Sequence, residues 1–261
     1  MSETPSPPEE QPADPIALLK AQWAELKPKQ FHLLRLAAQP TERGAGARPL
    51  RFAELGRVER HTKDLSLLRL TVQLPGQMLH KETNLLEVWV NHAERRISFA
   101  PETGLQVEPG NRGLGRFLLA QAISWARQHF SAYQVEDFAL GMKGSLDDEN
   151  RQRRDKLLES LGFTVEYEDK LHMKGRIHAG LVATLNADWN RDKLMPLSML
   201  DAGQMLQQAD QSLHDQALKI RVLEEQVQAR KRDESALRFT ITLLVLFALF
   251  EAALVFLLMI F

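Results

Sequence analysis

The spacing of hydrophobic residues changes several times along the chain, and each change predicts a different kind of element. Apolar residues at helical spacing predict a helix over residues 16–38, interrupted at Pro28, and a turn-rich linker from Thr41 to Pro49. From Arg51 onward, short runs rich in β-branched and aromatic residues predict strands. Four strands are expected before Pro109, at residues 67–72, 85–90, 95–100 and 105–108.

The next stretch of the chain alternates helices with strands. Residues 117–126 form a strongly amphipathic pattern, which predicts a helix entered directly from a glycine-rich turn. A second, charged helix is expected from Glu149 to Leu161, with Gly162 placed as its C-cap. Three more strands are expected, at residues 135–142, 164–168 and 171–174.

Residues 199–237 show a seven-residue repeat that is typical of a coiled coil. The first heptad position is apolar over five repeats, and it is occupied by Met199, Leu206, Leu213, Ile220 and Val227. Polar residues interrupt the seam at Gln216, Arg230 and Glu234. A single helix that packs back on the globular domain is the alternative, but the sustained repeat and polar outer face favour self-association into a parallel stalk.

The segment Phe239–Phe261 has 23 residues and one ionisable side chain, Glu251. A helix of that length spans ~34 Å, which is enough for a hydrocarbon core of ~30 Å. We therefore expect a single-pass tail anchor in the lipid bilayer rather than a buried core helix. Basic residues cluster just before the anchor, and they predict that the globular domain is cytoplasmic.

Composition narrows the classes of function. Lys and Arg number 33 against 34 Asp and Glu, so the net charge of −1 argues against a nucleic-acid partner. The chain has no cysteine, which excludes disulfides, thiolate metal sites and cysteine nucleophiles. Its 8 histidines form no metal-ligand pattern with nearby acids, and no metal is expected.

These patterns together divide the chain into five parts. Residues 1–15 contain five prolines and four acidic residues, which predicts a disordered leader rather than a signal peptide. The expected parts are the leader at 1–15, a helical segment and linker at 16–49, a globular domain at 50–186, a linker and coiled-coil stalk at 187–237, and the anchor at 238–261.

The glycine-rich turn before the first amphipathic helix carries the strongest chemical signal. Gly110, Gly113 and Gly115 let the backbone turn tightly and present free N–H groups, and the start of the helix adds a partial positive charge. Such a turn predicts an anion-binding site. Glycines before a helix are a weak motif alone, so the specificity of this one depends on the elements C-terminal to it.

The order strands, helix, strand, helix, strand, strand surrounds this turn, and two motifs accompany it, Arg112-Gly113-Leu114-Gly115 and residues 157–163. Together they resemble the GCN5-related N-acetyltransferase (GNAT) superfamily over about residues 50–176. The resemblance implies an α+β fold with a mixed, twisted sheet flanked by helices. It also implies that the sheet is splayed between its fourth and fifth strands and that acyl-CoA lies in the gap. In this chain a long coiled-coil helix and one transmembrane helix would come after that domain.

The resemblance also implies which residues hold the co-substrate, acetyl-CoA or another acyl-CoA. Backbone amides would cradle its diphosphate, at Arg112, Gly113, Leu114, Gly115 and Arg116. The fourth strand, from Leu105 to Val107, would hydrogen-bond the pantetheine arm. Asn150 lies beside the position of an asparagine that is usual in the family near the start of the later helix.

Two departures from the family pattern bear on catalysis. The loop from Pro109 to the helix is two residues shorter than usual, and Leu158 occupies the position of the tyrosine that commonly protonates the thiolate. The general base is equally open, because each candidate also fits an ordinary solvated surface or turn residue. The candidates are Glu108, His172, Glu102, Glu136, Asp137 and His92.

Three functions remain compatible with the sequence. The first is a membrane-tethered acyltransferase that moves an acetyl or other acyl group from acyl-CoA to an amine on a small molecule, peptide or protein. The second is a catalytically silent GNAT-like binding module that acts as a membrane scaffold or sensor. In the third, the stalk recruits a partner and the folded domain is its cargo.

Overall fold

The computed structural model describes residues 15–40, 48–76, 82–101, 104–139, 148–169, 172 and 174–260. The chain divides into two compact units, Met1–Ser198 and Met199–Phe261. The predicted leader lies outside the described residues as far as residue 14, and so do residues 41–47 of the predicted linker.

The described part of the first unit alternates helices and strands in an α+β order. Its elements are α1 (Pro15–Ala24), β1 (Gln30–Leu36), β2 (Arg51–His61), β3 (Leu65–Gln73), β4 (Leu85–Asn91), β5 (Arg96–Ala100), α2 (Leu114–Phe130), β6 (Gln134–Val135), β7 (Phe138–Ala139), α3 (Asp148–Ser160), β8 (Thr164–Tyr167), β9 (Gly175–His178), a short 3₁₀ helix (Val182–Thr184) and β10 (Leu194–Leu197).

The strands form two sheets. Seven strands make a mixed sheet in the order β10-β1-β2-β3-β4-β5-β6, and three make a smaller sheet in the order β7-β9-β8. Neighbouring strands are antiparallel except β5 and β6, which run parallel. The predicted α+β class, with a mixed sheet and flanking helices, is confirmed.

Strand β3 is buried on both faces because helices cover both sides of the larger sheet. Successive side chains of a strand point to opposite faces. Leu68 and Leu70 pack into the main core together with the apolar stripe of α2. Leu65 and Leu67 pack on the other side in a smaller cluster with Trp23 of α1.

A buried ion pair lies in the smaller cluster beneath α1. The Arg69 Nε donates to the Glu87 carboxylate at 2.6 Å, and the Trp89 indole N–H donates to the same carboxylate at 2.8 Å. Arg69 also donates to the Leu26 carbonyl at 3.0 Å, just after α1 ends. Both charges are therefore hydrogen-bonded, as buried charges must be if they are not to destabilise the fold.

The single helix predicted over residues 16–38 is wrong. The chain forms α1 and then turns into β1, which pairs with β2 and with β10. In β1 the buried residues Leu34 and Leu36 alternate with Arg35, which is the period of a strand. Pro28 marks the boundary between the two elements, because proline cannot continue a helix interior.

The strand predicted at residues 105–108 is also wrong. This segment makes one isolated bridge, between Gln106 and Thr83, and otherwise runs as a loop. The strand predicted at 135–142 is interrupted after Val135, and its residues beyond 139 lie outside the described residues. The predicted strand at 171–174 is replaced by β9, and its residues 171 and 173 lie outside the described residues.

The second unit is one continuous helix, α4 (Met199–Ile260), of 62 residues. At 1.5 Å per residue it is about 93 Å long. Within the described residues it is the one helix long and apolar enough to cross a membrane, with a mean hydropathy of 1.9 over its most apolar window. The predicted heptad residues Leu206, Leu213, Ile220 and Val227 are all more than half exposed on it.

Candidate functional site

The two sheets separate where β5 stops pairing with its parallel neighbour. Arg96 pairs with Gln134 and Ile97 pairs with Val135, and the pairing ends there. After two intervening residues the chain forms β7, which pairs with β9 in the smaller sheet. The remainder of β5 and all of β7 therefore form the two walls of a wedge-shaped cleft.

The cleft has a volume of about 410 Å³, within the range usual for small-ligand sites. Its apolar lining comes from both walls, from α2 and α3, and from the loop after β5. These apolar residues are Leu86, Phe99, Ala100, Pro101, Leu105, Val107, Leu114, Leu119, Phe138, Ala139, Leu157, Leu158 and Ile177. The remaining lining residues are Gly104, Gln106, Asn111, Gly113, Gly115, Arg116, Asn150, Arg153 and Arg154.

Helix α2 begins at the edge of this cleft. Gly113 is its N-cap, with a left-handed φ of 81°, and no side chain caps the helix. The first N–H groups of a helix have no partner within the helix, and they carry a partial positive charge. A Cβ on Gly115 would meet the Leu105 and Val107 side chains at 3.7 Å, so the loop after β5 lies against this first turn.

Most of the residues that the resemblance assigned to the co-substrate line the cleft together. They are Leu105, Val107, Gly113, Leu114, Gly115, Arg116 and Asn150. Leu158 also lines it and is 5% exposed. The structure therefore brings the predicted turn, the loop before it and the later helix to one opening.

Arg112 is the exception among the predicted residues. Its side chain is 3% exposed and does not line the cleft. Instead its guanidinium donates to the Pro49 carbonyl at 2.5 Å and to the Leu36 carbonyl at 3.5 Å, and its Nε has no hydrogen-bond partner among the described residues. Burial, followed by the charges of Arg51 and Arg48, lowers the pKa of Arg112. The Arg112 side chain thus holds the turn against the β1–β2 connection.

The basic residues at the opening are held by their neighbours. The Arg116 Nε donates to the Asp188 carbonyl at 2.9 Å. Arg154 donates to Asp155 at 3.2 Å and to the Tyr167 hydroxyl at 3.1 Å. Arg153 is paired with Glu149, one turn earlier in α3. The charges of Arg153 and Arg154 are thus paired with carboxylates, whereas Arg116 is held by a backbone carbonyl.

The acid–base candidates from the sequence do not line the cleft. Glu108 and His172 are exposed, and His172 packs its ring edge-on against Tyr167 with centroids 4.6 Å apart. Asp137 pairs with His178 at 2.8 Å. Glu102 lies outside the described residues. Among the described lining residues there is no carboxylate, imidazole, hydroxyl or thiol, and nowhere in the described chain do three or more His, Cys, Asp or Glu side chains form a metal site.

A cluster of polar side chains lies instead near the C-terminal end of α2, and the sequence pointed to only one of its members, the candidate base His92. We call it the Ser66 network, and it consists of Glu59, His61, Ser66, His92 and Tyr133. Neighbouring contacts run from Glu59 to His61 at 3.0 Å, from His61 to Ser66 at 3.0 Å, from Ser66 to His92 at 2.7 Å and from His92 to Tyr133 at 3.3 Å. Strand alternation alone gives no signal for it, because β2, β3 and β4 must first be paired in register.

The Ser66 network begins at a carboxylate, Glu59, which is ionised near neutral pH. Burial acts to raise the pKa of Glu59, but hydrogen bonds from Trp125, His61 and Arg57 outweigh it and lower the pKa to about 2. The ionised carboxylate accepts from the N–H on the His61 Nε2. The Ser66 hydroxyl lies between the His61 Nδ1 and the His92 Nε2 and is within hydrogen-bond distance of both. Burial, together with the charge of His61, lowers the pKa of His92 and keeps it neutral.

Ser66 is 1% exposed, so no substrate reaches its hydroxyl. The centre of the network is therefore covered, although His61 at its edge is exposed. In comparisons with protein-family models, with curated proteins and with solved structures, the chain matched none.

Proposed function

We propose that the chain is a membrane-tethered acyltransferase of the GNAT type, which moves an acetyl or other acyl group from acyl-CoA to an amine. The observation that carries the proposal is the opening between β5 and β7 beside the uncapped N-terminus of α2. Anions bind readily at such helix N-termini, because free N–H groups and the helix dipole act together. A cleft between two separating strands accepts the extended part of the same ligand.

The chain's own residues have separate tasks in this proposal. Backbone amides from Gly113 to Arg116 bind the diphosphate, and the Arg116 guanidinium adds positive charge. The loop from Leu105 to Val107 forms one side of the path for the pantetheine arm. The Gln106 carbonyl already accepts from the Asn84 N–H at 2.8 Å, so one of its two lone pairs is occupied.

The transfer step requires only that the amine reach the thioester in the right orientation. The amine nitrogen bonds to the thioester carbonyl carbon, the carbon–sulfur bond breaks, and the thiolate leaves. One proton from the amine ends on the thiolate, through solvent. Positioning alone contributes several kcal/mol to such reactions.

The tether is helix α4, which we propose crosses a membrane through Phe239–Phe261 with the globular unit on the cytoplasmic side. Its length and composition support this proposal, and the basic residues before the span support the orientation.

We further propose that a second copy of the chain covers the exposed heptad residues of α4. Double substitution of Leu213 and Ile220 by Lys should then abolish cross-linking between full-length copies in nanodiscs. The same double substitution on the outer face of the helix, at Gln204 and Gln211, should not. Equal cross-linking in both variants contradicts a paired stalk.

A second function is favoured by one specific observation, the lack of a proton donor or acceptor among the described lining residues. In this alternative the domain binds acyl-CoA without turning it over and acts as a membrane scaffold or sensor. Leu158, where the family has a tyrosine, supports it, because general acid–base catalysis contributes typically 10²–10⁴-fold.

One series of experiments tests both functions. Titration calorimetry of the full chain in lipid nanodiscs should show acetyl-CoA binding, and no binding at millimolar concentration rules out both functions. Thiol release with a panel of amines then separates them, since binding without release leaves the silent module. Leu158→Tyr should raise thiol release if transfer is limited by the missing acid, and Leu158→Phe is the matched control.

A further inference from the structure

The lining of the cleft changes from polar to apolar along its length. Helix α3 shows this most clearly, because its cleft-facing residues are Asn150, Arg153 and Arg154 in the first turns and Leu157 and Leu158 in the last. From Asn150 to Leu157 is seven residues, or about 10 Å along a helix.

The apolar end of the cleft is formed by side chains that also belong to the hydrophobic core. Leu119, Leu158 and Ile177 are each less than a tenth exposed, and all three line the cleft. The rings of Phe99 and Phe138 pack against each other from the two walls, tilted by 45° with centroids 5.9 Å apart. The residues that β7 and β9 contribute to the lining, Phe138, Ala139 and Ile177, are all apolar.

We infer that the acyl donor carries an unbranched apolar chain longer than acetyl, and that this chain occupies the apolar end of the cleft. The inference rests on the proposed function, which places the diphosphate at the polar end. A thioester reached from that end lies near Leu157 and Leu158, where a phenol would otherwise occupy space and offer a hydroxyl. Leucine offers only apolar groups there, so the side chains next to the thioester would pack well against the methylene groups of an acyl chain.

An extended chain fits the shape as well as the chemistry. The contact between the Phe99 and Phe138 rings narrows the space between the two walls, so a linear chain fits beside it more readily than a bulky or branched group. Each buried methylene contributes about 0.8 kcal/mol, which is about a fourfold gain in affinity. An acetyl group has no methylene and would leave the apolar end without a ligand.

The test is the affinity of the full chain in nanodiscs for a series of CoA thioesters, measured by calorimetry with empty nanodiscs subtracted. The probes are CoA, acetyl-CoA, butyryl-CoA, hexanoyl-CoA and octanoyl-CoA. Affinity should rise at least about tenfold from acetyl-CoA to hexanoyl-CoA. A flat series with measurable CoA binding overturns the inference alone, whereas the absence of any CoA binding overturns the proposed function.

Two variants assign the effect to the apolar end. Leu157→Gln keeps the size of a half-buried side chain but adds an amide, and it should reduce the gain from acetyl-CoA to hexanoyl-CoA to less than about threefold while CoA binds as before. Phe138→Gln adds an amide from the β7 wall, in case the first variant fails to fold. The matched control is Leu18→Gln, on the exposed side of α1, which should keep the full gain. A full gain in both cleft variants places the chain elsewhere and overturns the inference.

Discussion

The two ends of helix α2 lie in opposite chemical surroundings. Its C-terminal end packs against the Ser66 network, where a carboxylate, two imidazoles, a serine and a phenol are joined by hydrogen bonds. Its N-terminal end borders the cleft, whose described lining has glycines, leucines and arginines but no group that exchanges protons near neutral pH.

The difference shows that chemically reactive residue types do not mark the site in this chain. A serine between two histidines, with a glutamate behind one of them, has the composition of a catalytic relay, but each member is satisfied by another and Ser66 is covered. The cleft lacks such residues and yet is open, and its helix start is uncapped. Changes in the network should therefore affect stability, and changes in the cleft should affect ligand binding.

The largest effect on stability should come from Glu59→Ala. The substitution removes the acceptor of the Trp125 indole N–H at 2.6 Å and of the His61 N–H at 3.0 Å, and it leaves Arg57 unpaired. We expect a loss of about 3 kcal/mol in the free energy of unfolding. Urea unfolding of the full chain, followed by tryptophan fluorescence, measures it, because all 4 tryptophans lie before residue 199.

Two further measurements sharpen the prediction for Glu59→Ala. Glu59→Gln keeps a carbonyl acceptor for Trp125 and should cost less than Glu59→Ala. The affinity for acetyl-CoA should be the same in both variants and in the unchanged chain. A large drop in affinity would show that the network and the cleft are coupled through α2.

A smaller loss is expected from Ser66→Ala. The hydroxyl lies between the His61 Nδ1 and the His92 Nε2, and its removal leaves both ring nitrogens without this partner. The expected cost is about 2 kcal/mol, measured by the same unfolding assay. The exposed Ser131→Ala serves as control and should be close to neutral. If Ser66→Ala is neutral too, the network is not a stabilising unit.

Gly113→Ala should lower the affinity for the ligand, whereas the substitutions in the Ser66 network should lower stability. With a φ of 81°, alanine at this position is strained by about 1.5 kcal/mol, although its Cβ would meet only Lys193 at 3.7 Å. The start of α2 must then shift to relieve the strain, and the affinity for acetyl-CoA should fall. Gly110→Ala is the matched control, because its Cβ meets nothing within 4 Å, and it should bind as before. Equal affinity in the two variants argues against the amides as the diphosphate site.

The smallest and most gradual effect should come from acidification. The pKa of His92 is lowered on folding, so its contribution to stability is complete above its ordinary value of 6.5 and is lost as pH falls through the lowered pKa. The pKa of Glu59 is lowered from 4.5 to about 2, so its contribution is lost between those two pH values. Unfolding midpoints measured from pH 7.5 to pH 3 should fall in two stages. Glu59→Gln should remove the lower stage alone, and an unchanged lower stage contradicts this assignment.

The hydrophobic pattern of the sequence predicted those helices and strands whose own residues show a clear helical or strand period. The strands at 85–90 and 95–100 and the helix at 117–126 were all recognised close to their observed bounds, because each carries its own period. The helix predicted through residue 38 failed at β1, since Leu33, Leu34 and Leu36 fit both periods and only pairing with β2 and β10 decides between them. Strand β10 was missed because it contains Pro196, which is tolerated at the edge of a sheet.

The candidate site was predicted in outline but not in its details. The turn from Gly113 to Arg116 was identified because glycines before an amphipathic helix have a local meaning. The inward direction of Arg112 depends on carbonyls at Leu36 and Pro49, which are 76 and 63 residues away, and no local pattern contains that information. The apolar end of the cleft likewise could not be predicted, because it forms only when α3, β7 and β9 come together beside β5.

The chemistry of the cleft lining has a consequence for the choice of acceptor. Where the protein offers no proton acceptor, only the free-base fraction of the nucleophile reacts, and the pH–rate profile belongs to that nucleophile. At pH 7.5 a terminal α-amino group, with a pKa of about 7.7–8.0, is unprotonated about 200–300 times more often than a lysine ε-amino group of pKa about 10.4. In a transferase built in this way, the free-base fraction would favour N-termini and weakly basic amines, whereas the greater nucleophilicity of the free lysine amine would oppose that preference.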